Sequence, residues 1–123
     1  MERVKVKKSA QCIFLVDDDL VYRNIGKSAL QHKYTVVPIP SGDSLLVLLK
    51  KRKPDLILLD VEMPVMSGYD AIKIIKANPE TEEIPIIFLT GNDEPENEFL
   101  GLSLGAVDYI TKPFSKQLLL KRI

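Results

Sequence analysis

Short apolar runs of strand length alternate along the chain with segments of helical periodicity, and this alternation constrains the fold more than any other feature. Several of the runs are apolar on consecutive residues, as is typical of strands covered on both faces in a parallel sheet. Alternating strands and helices joined by right-handed crossovers predict a doubly wound α/β fold with helices on both faces of the sheet. The five predicted strands are Gln11 to Val16, Thr35 to Ile39, Leu56 to Leu59, Ile86 to Leu89 and Val107 to Ile110.

The predicted helices have recognisable boundaries. The first, Leu20 to Gln31, places Val21, Ile25 and Ala29 at a spacing of four, and we expect these residues to form its buried face. Candidate N-caps of later helices are Ser41, Asp93 in a capping-box pattern with Glu96, and Ser115. The sequence therefore predicts five crossover or terminal helices, the fourth covering about Glu94 to Leu104.

Acidic residues stand at the carboxyl ends of two predicted strands. Asp17, Asp18 and Asp19 follow the first strand, and Asp60 follows the third. In the flavodoxin-like strand order 2-1-3-4-5, strands 1 and 3 flank the topological switch point, outside which ligands bind. This order brings the acids to one site, so we predict that order for the sheet.

Clustered carboxylates repel one another unless a cation neutralises them. Oxygen ligands favour a hard ion, and Mg²⁺ suits best because it accepts one or two carboxylates together with water and phosphate oxygens. The only histidine, His32, lies far from the acids in the sequence, which disfavours zinc. The acidic ends therefore predict a Mg²⁺ site.

Two other predicted strands end in a hydroxyl and a cation. Thr90 follows the fourth strand, and Thr111-Lys112 follows the fifth. A metal ion, a hydroxyl and an ammonium together are suited to the peripheral oxygens of a phosphoryl group. A carboxylate such as Asp60 can itself attack phosphorus and carry that group as an acyl phosphate.

Four segments of the chain carry a further signal. They are Phe14-Leu15-Val16-Asp17-Asp18-Asp19, Pro54 to Gly68, Ile84 to Thr90 and Gly105 to Phe114. In this order they resemble the receiver domain of response regulators in two-component signal transduction, and the resemblance extends from about Gln11 to Ile123. It implies a phosphorylation switch that takes and loses its own phosphoryl group, and not an enzyme with a separate substrate.

The resemblance also implies a role for each site residue. Asp60 would be the phosphoacceptor, supplied by a sensor histidine kinase or phosphotransfer protein. Thr90 and Lys112 would contact the phosphoryl group, Tyr109 would be an aromatic switch that turns inward behind Thr90, and the Lys112-Pro113 bond would be cis. The Mg²⁺ ligands would be Asp17, Asp18, Asp60 and the backbone carbonyl of Glu62. The switched surface would comprise strand 5 and its neighbouring helices.

Two features of the sequence leave the phosphate lifetime open. Glu62 places a further acid near the metal, and Gly91 stands where alanine is frequent.

Two alternative functions also stay open at this stage. A phosphatase with an aspartyl-phosphate intermediate would use similar groups, but such enzymes normally carry Asp-x-Asp at the first strand. A receiver-like module that only binds partners would usually lack one of the acids or Lys112. A dinucleotide-binding fold is disfavoured because no Gly-x-Gly-x-x-Gly follows the first strand.

Charge and hydropathy limit the partners. Lysine plus arginine equals aspartate plus glutamate at 17 each, which gives no support for direct nucleic-acid binding. No apolar run approaches the roughly 18 residues of a membrane span, and the single cysteine fits a cytoplasmic protein.

We expect a basic tail over 1–9 and a receiver domain over 10–123 whose last helix is truncated. An output domain after Ile123 and a homodimer remain open.

Overall fold

The computed structural model describes residues 11–91 and 95–123, which form one parallel sheet with helices on both faces. The strands are β1 Cys12–Val16, β2 Thr35–Ile39, β3 Leu56–Asp60, β4 Ile86–Thr90 and β5 Asp108–Thr111. Their order in the sheet, β2-β1-β3-β4-β5, is the one predicted. The helices are α1 Leu20–Leu30, α2 Gly42–Leu49, α3 Gly68–Lys76, α4 Pro95–Ser103 and α5 Lys116–Arg122. No helix in these two ranges is long and apolar enough to cross a membrane.

Strands β3, β4 and β5 each end one residue later than predicted. Asp60 is paired with Leu89, and Thr90 with Thr111. The ladder continues because the Val61 N–H donates to the Leu89 carbonyl at 2.9 Å. Asp60 and Thr90 are therefore the last residues of their strands, and not the first residues of loops.

Successive strand residues point into two separate cores. Phe14, Ile57 and Leu59 belong to the core beneath α2 and α3, whereas Ile13 and Leu58 belong to the core beneath α1 and α5. All five of these side chains are fully buried. Burial on both faces explains why these strands are apolar at consecutive positions.

The predicted face of α1 is confirmed in part. Ala29 is buried and Ile25 packs against the same core, but Val21 is 61% exposed, and Gly26 and Leu30 are also buried. The helix lies close to the sheet at Gly26, where a Cβ atom would lie 2.6 Å from Leu15 Cδ2. A glycine contact carries no hydropathy signal, so the spacing of apolar side chains does not reveal that Gly26 faces the sheet.

Most predicted helix caps are present. The hydroxyls of Ser41 and Ser115 accept hydrogen bonds from the backbone N–H groups of Ser44 and Leu118, each at 3.1 Å. Asp93 lies outside the described residues, as does the basic segment 1–9, so those two predictions are untested.

Candidate functional site

The carboxyl ends of β1 and β3 bring three aspartates together. Asp17, Asp18 and Asp60 each offer a carboxylate oxygen, and these oxygens lie within 4.8 Å of one another. Asp17 and Asp60 are buried, at 0% and 1% exposure, whereas Asp18 is exposed. The structure therefore unites the acids that the sequence placed at the switch point.

The first turn of α1 fixes Asp17. Its Oδ1 accepts a hydrogen bond from the backbone N–H of Asp19 at 2.9 Å, and its carbonyl accepts one from Arg23 Nη1 at 2.7 Å. Asp19 serves as the N-cap, accepting from the Val21 N–H at 2.9 Å. Of the three consecutive aspartates, Asp19 therefore caps the helix and leaves the other two for the site.

Lys112 bridges the two buried carboxylates. Its Nζ lies 2.9 Å from Asp17 Oδ2 and 3.2 Å from Asp60 Oδ1. Burial lowers the pKa of Lys112, but the hydrogen bonds and negative charges of the two aspartates outweigh this, and the net pKa is raised. Lys112 is thus held as a cation at the centre of the site.

Asp60 is difficult to ionise in this environment. Burial, followed by the charge of Asp17, raises its pKa from 3.8 to about 8, although Lys112 partly offsets the increase. Its Oδ1 accepts from Lys112 and from the Glu62 N–H at 3.3 Å, but Oδ2 is buried with no hydrogen-bond partner among the described residues. A divalent cation fits this donor set because it would bind the orphaned oxygen and favour the ionised carboxylate.

The loop after β3 is packed directly against Asp60. A Cβ atom at Gly68 would collide with the backbone carbonyl of Asp60, and the Gly68 N–H donates to the Val61 carbonyl at 2.8 Å. Glu62 is exposed, and its Oε1 accepts from the Gly91 N–H at 3.3 Å. The Glu62 side chain therefore links the loops that follow β3 and β4.

The other predicted residues lie on β4, on β5 and just after β5. Thr90 is buried, and its carbonyl accepts from the Lys112 N–H at 2.7 Å, which ties these residues together. The Lys112-Pro113 bond is cis, as the resemblance implied. Tyr109 is half-buried, and a hydrogen bond to the Glu98 carboxylate is the main cause of its raised pKa.

Sequence inspection missed Tyr22, which contacts the site from α1. Its ring centroid lies 4.4 Å from Lys112 Nζ and 5.1 Å from the ring centroid of Phe114. The available signal was its position three residues after Asp19, in the first turn of a helix that begins at the acidic edge.

Comparison with known proteins decides the family. The profile of the response regulator receiver domain matches residues 13–123. The chain belongs to the response regulator receiver domain family. The crystallised chemotaxis response regulator CheY4 of Vibrio cholerae has the same fold at a TM-score of 0.85, with 32% identity over 90% of this chain and 93% of that one.

Two curated relatives of this receiver domain are longer proteins. A probable cyclic di-GMP phosphodiesterase of Vibrio cholerae is 43% identical over 127 residues, which is 100% of this chain but 28% of that protein. The phosphate regulon transcriptional regulatory protein PhoB of Pseudomonas aeruginosa is 39% identical over 112 residues, which is 90% of this chain and 49% of that protein. The receiver thus spans half or less of these relatives.

Proposed function

We propose that Asp60 accepts a phosphoryl group from a phosphohistidine of a sensor histidine kinase or phosphotransfer protein. The observation that carries the proposal is the position of Lys112, whose ammonium lies 3.2 Å from Asp60 Oδ1 and 2.9 Å from Asp17 Oδ2 in a largely buried site. A cation fixed beside a carboxylate oxygen can neutralise charge that accumulates when a phosphoryl group is attached there.

The transfer is a single displacement at phosphorus. A carboxylate oxygen of Asp60 attacks as the P–N bond to the imidazole breaks, and the bonding electron pair leaves with the imidazole nitrogen. The product is an acyl phosphate on Asp60 and a free histidine on the donor. Lys112 pairs with one phosphoryl oxygen, and the Thr90 hydroxyl donates to another.

Asp17, Asp18 and Asp60, with the Glu62 carbonyl, would hold Mg²⁺. When bound, Mg²⁺ would neutralise the carboxylates and the phosphoryl oxygens. Support comes from the three clustered carboxylates and from the orphaned Asp60 Oδ2. The Glu62 side chain is close enough to this edge to influence how long the acyl phosphate persists.

The phosphorylated protein would switch its surface around β5. Phosphorylation adds about two negative charges, which favour movement of Thr90 toward the phosphoryl group and of Tyr109 inward behind it. The affected surface comprises β5, α4 and α5. It carries exposed apolar side chains, including Phe99 at 74% in α4 and Leu120 at 41% in α5, and such side chains are suited to a partner or a second copy.

We further propose that the receiver unit covers residues 10–123 after a basic segment over 1–9. An output domain would follow, as the greater length of both curated relatives supports. Phosphoryl exchange would take place in the cytoplasm, without direct nucleic-acid or membrane contact by this unit.

Labelling with acetyl phosphate and Mg²⁺ tests the proposal. We expect one phosphoryl group per chain in the wild type and none in Asp60→Asn. Asp43→Asn is the matched control, because Asp43 is an exposed aspartate in the first turn of α2. Labelling of Asp60→Asn at the wild-type level would refute the assignment.

A turnover assay with small phosphomonoesters, run beside the labelling, discriminates the alternatives. A phosphatase would hydrolyse these esters over many turnovers, whereas a receiver gives one stoichiometric phosphorylation that decays. A module that only binds partners would give no labelling in either protein. The intact set of Asp17, Asp60, Thr90 and Lys112 favours the phosphorylated receiver.

A further inference from the structure

Tyr22 of α1 lies over the ammonium group of Lys112. The distance from Nζ to the ring centroid is 4.4 Å, within the roughly 6 Å range of a cation–π contact. Tyr22 is partly buried, and the Lys112 side chain is only 14% exposed, so water screens the contact poorly. The ammonium therefore interacts with an aromatic face in addition to two carboxylates.

A packed neighbour limits the freedom of the ring. Phe114, which is buried, contacts Tyr22 at a centroid distance of 5.1 Å and an interplanar angle of 48°. Because Phe114 follows Lys112 by two residues, the segment after β5 supplies both the cation and the support for the ring. The contact joins that segment to α1.

We propose that Tyr22 is a positioning residue for phosphoryl transfer. Its ring holds the Lys112 ammonium beside Asp60 and limits the flexible side chain to orientations that face the phosphoryl group. A long lysine side chain loses much rotamer entropy when it is fixed, and a ring already in place lowers that cost during the reaction. This inference rests on the proposed transfer to Asp60.

Two substitutions separate the ring from the hydroxyl. Tyr22→Phe keeps the aromatic face, whereas Tyr22→Leu keeps apolar bulk without it, and Tyr22→Met replaces the leucine variant if that variant does not fold. Tyr34→Leu is the matched control, because Tyr34 is another partly buried tyrosine packed against the same core. Tyr34 lies away from Lys112, near Gln11 and Pro85 at the amino ends of the strands.

The first readout is the rate of labelling by acetyl phosphate with Mg²⁺. Tyr22→Leu should be slower by about fivefold, which corresponds to about 1 kcal/mol of cation–π stabilisation. The labelling rate of Tyr22→Phe should stay within about twofold of the wild-type rate, because phenylalanine keeps the aromatic face. Tyr34→Leu should keep the wild-type rate.

The second readout is the NMR shift of the Lys112 ε-methylene protons, which sense the ring current without any phosphorylation. Tyr22→Phe should preserve the ring-current contribution to the chemical shift of these protons, and Tyr22→Leu should remove the contribution of the Tyr22 ring. Equal rates in Tyr22→Leu and Tyr34→Leu would overturn the inference, as would equal losses in Tyr22→Phe and Tyr22→Leu. If the wild type is not labelled, the proposed function fails. In that case the inferred role in transfer fails with it, and the NMR shift still decides whether the ring holds the ammonium.

Discussion

Gly68 packs so closely against the backbone carbonyl of Asp60 that a side chain has no room between them. The first residue of α3 therefore sets how the end of β3 is placed. Asp60 is held from this side by backbone contact, while Lys112 holds it through its carboxylate.

Gly68→Ala should displace the end of β3. The added methyl group meets backbone atoms, which cannot rotate away, so we expect a loss of about 1–3 kcal/mol in the free energy of unfolding. Labelling by acetyl phosphate should also slow. Gly91→Ala is the control, because its nearest neighbour would be Glu62 Oε1 at an ordinary 3.6 Å. Equal destabilisation by the two substitutions would contradict this account.

Asp60→Asn should stabilise the metal-free protein at alkaline pH. The pKa of Asp60 is about 8 in the fold and 3.8 as the ordinary value, so protonation favours the folded state. That contribution is complete below about pH 4 and is lost as the pH rises to about 8. The wild type should therefore become less stable than Asp60→Asn over this window, by about 2–5 kcal/mol at its upper end.

Urea unfolding of both proteins across the pH range, in the presence of a chelator, measures this difference. Added Mg²⁺ should stabilise the wild type more than Asp60→Asn, because only the wild type presents all three carboxylates. A stability difference that does not change with pH would show that Asp60 does not have a raised pKa in the fold.

Lys112→Met should be strongly destabilising without metal. It leaves the buried Asp17 carboxylate with no cation beside it, a change that costs about 3–5 kcal/mol in comparable buried pairs, and it raises the pKa of Asp60 further because Lys112 no longer offsets burial and the charge of Asp17. The loss should be smaller when Asp60→Asn is also present, because the Asp60 charge that Lys112 offsets is then absent. Purely additive effects in a double-mutant cycle would mean that the two side chains do not interact.

Tyr109→Phe should make the active state easier to reach. The substitution removes the hydroxyl whose pKa is raised mainly by its interaction with the Glu98 carboxylate of α4. The phenylalanine ring keeps the apolar packing. We expect beryllofluoride to bind about twofold more tightly or better, since a restraint on the unphosphorylated form is lost. Weaker binding would argue that the hydroxyl instead stabilises the active form.

The sequence was sufficient to predict that the acidic residues and Lys112 lie at one edge, because strand topology determines their positions. Once β1 and β3 are adjacent and parallel, Asp17 and Asp60 lie close together at the carboxyl ends of these strands. Lys112, which follows β5, lies at the same edge of the sheet. The strand order itself followed from requiring the acids to converge.

Other features depend on packing distances and backbone angles that the type of residue does not indicate. Gly26 brings α1 onto the sheet, yet a hydropathy pattern overlooks glycine. Val65 has a φ of 71°, and the Met66 N–H donates to the Pro64 carbonyl across it, although a β-branched residue ordinarily avoids this conformation. Tyr22 resembles an ordinary core aromatic until the fold places Lys112 beneath it.

Binding of beryllofluoride, followed by ¹⁹F NMR with and without Mg²⁺, tests most directly whether these residues form one phosphoryl-binding cavity. Beryllofluoride mimics a phosphoryl group on a carboxylate, so the wild type should give bound resonances that require Mg²⁺. These resonances should be absent from Asp60→Asn and weakened in Lys112→Met. A wild type without bound resonances, or an Asp60→Asn variant that retains them, would contradict the account.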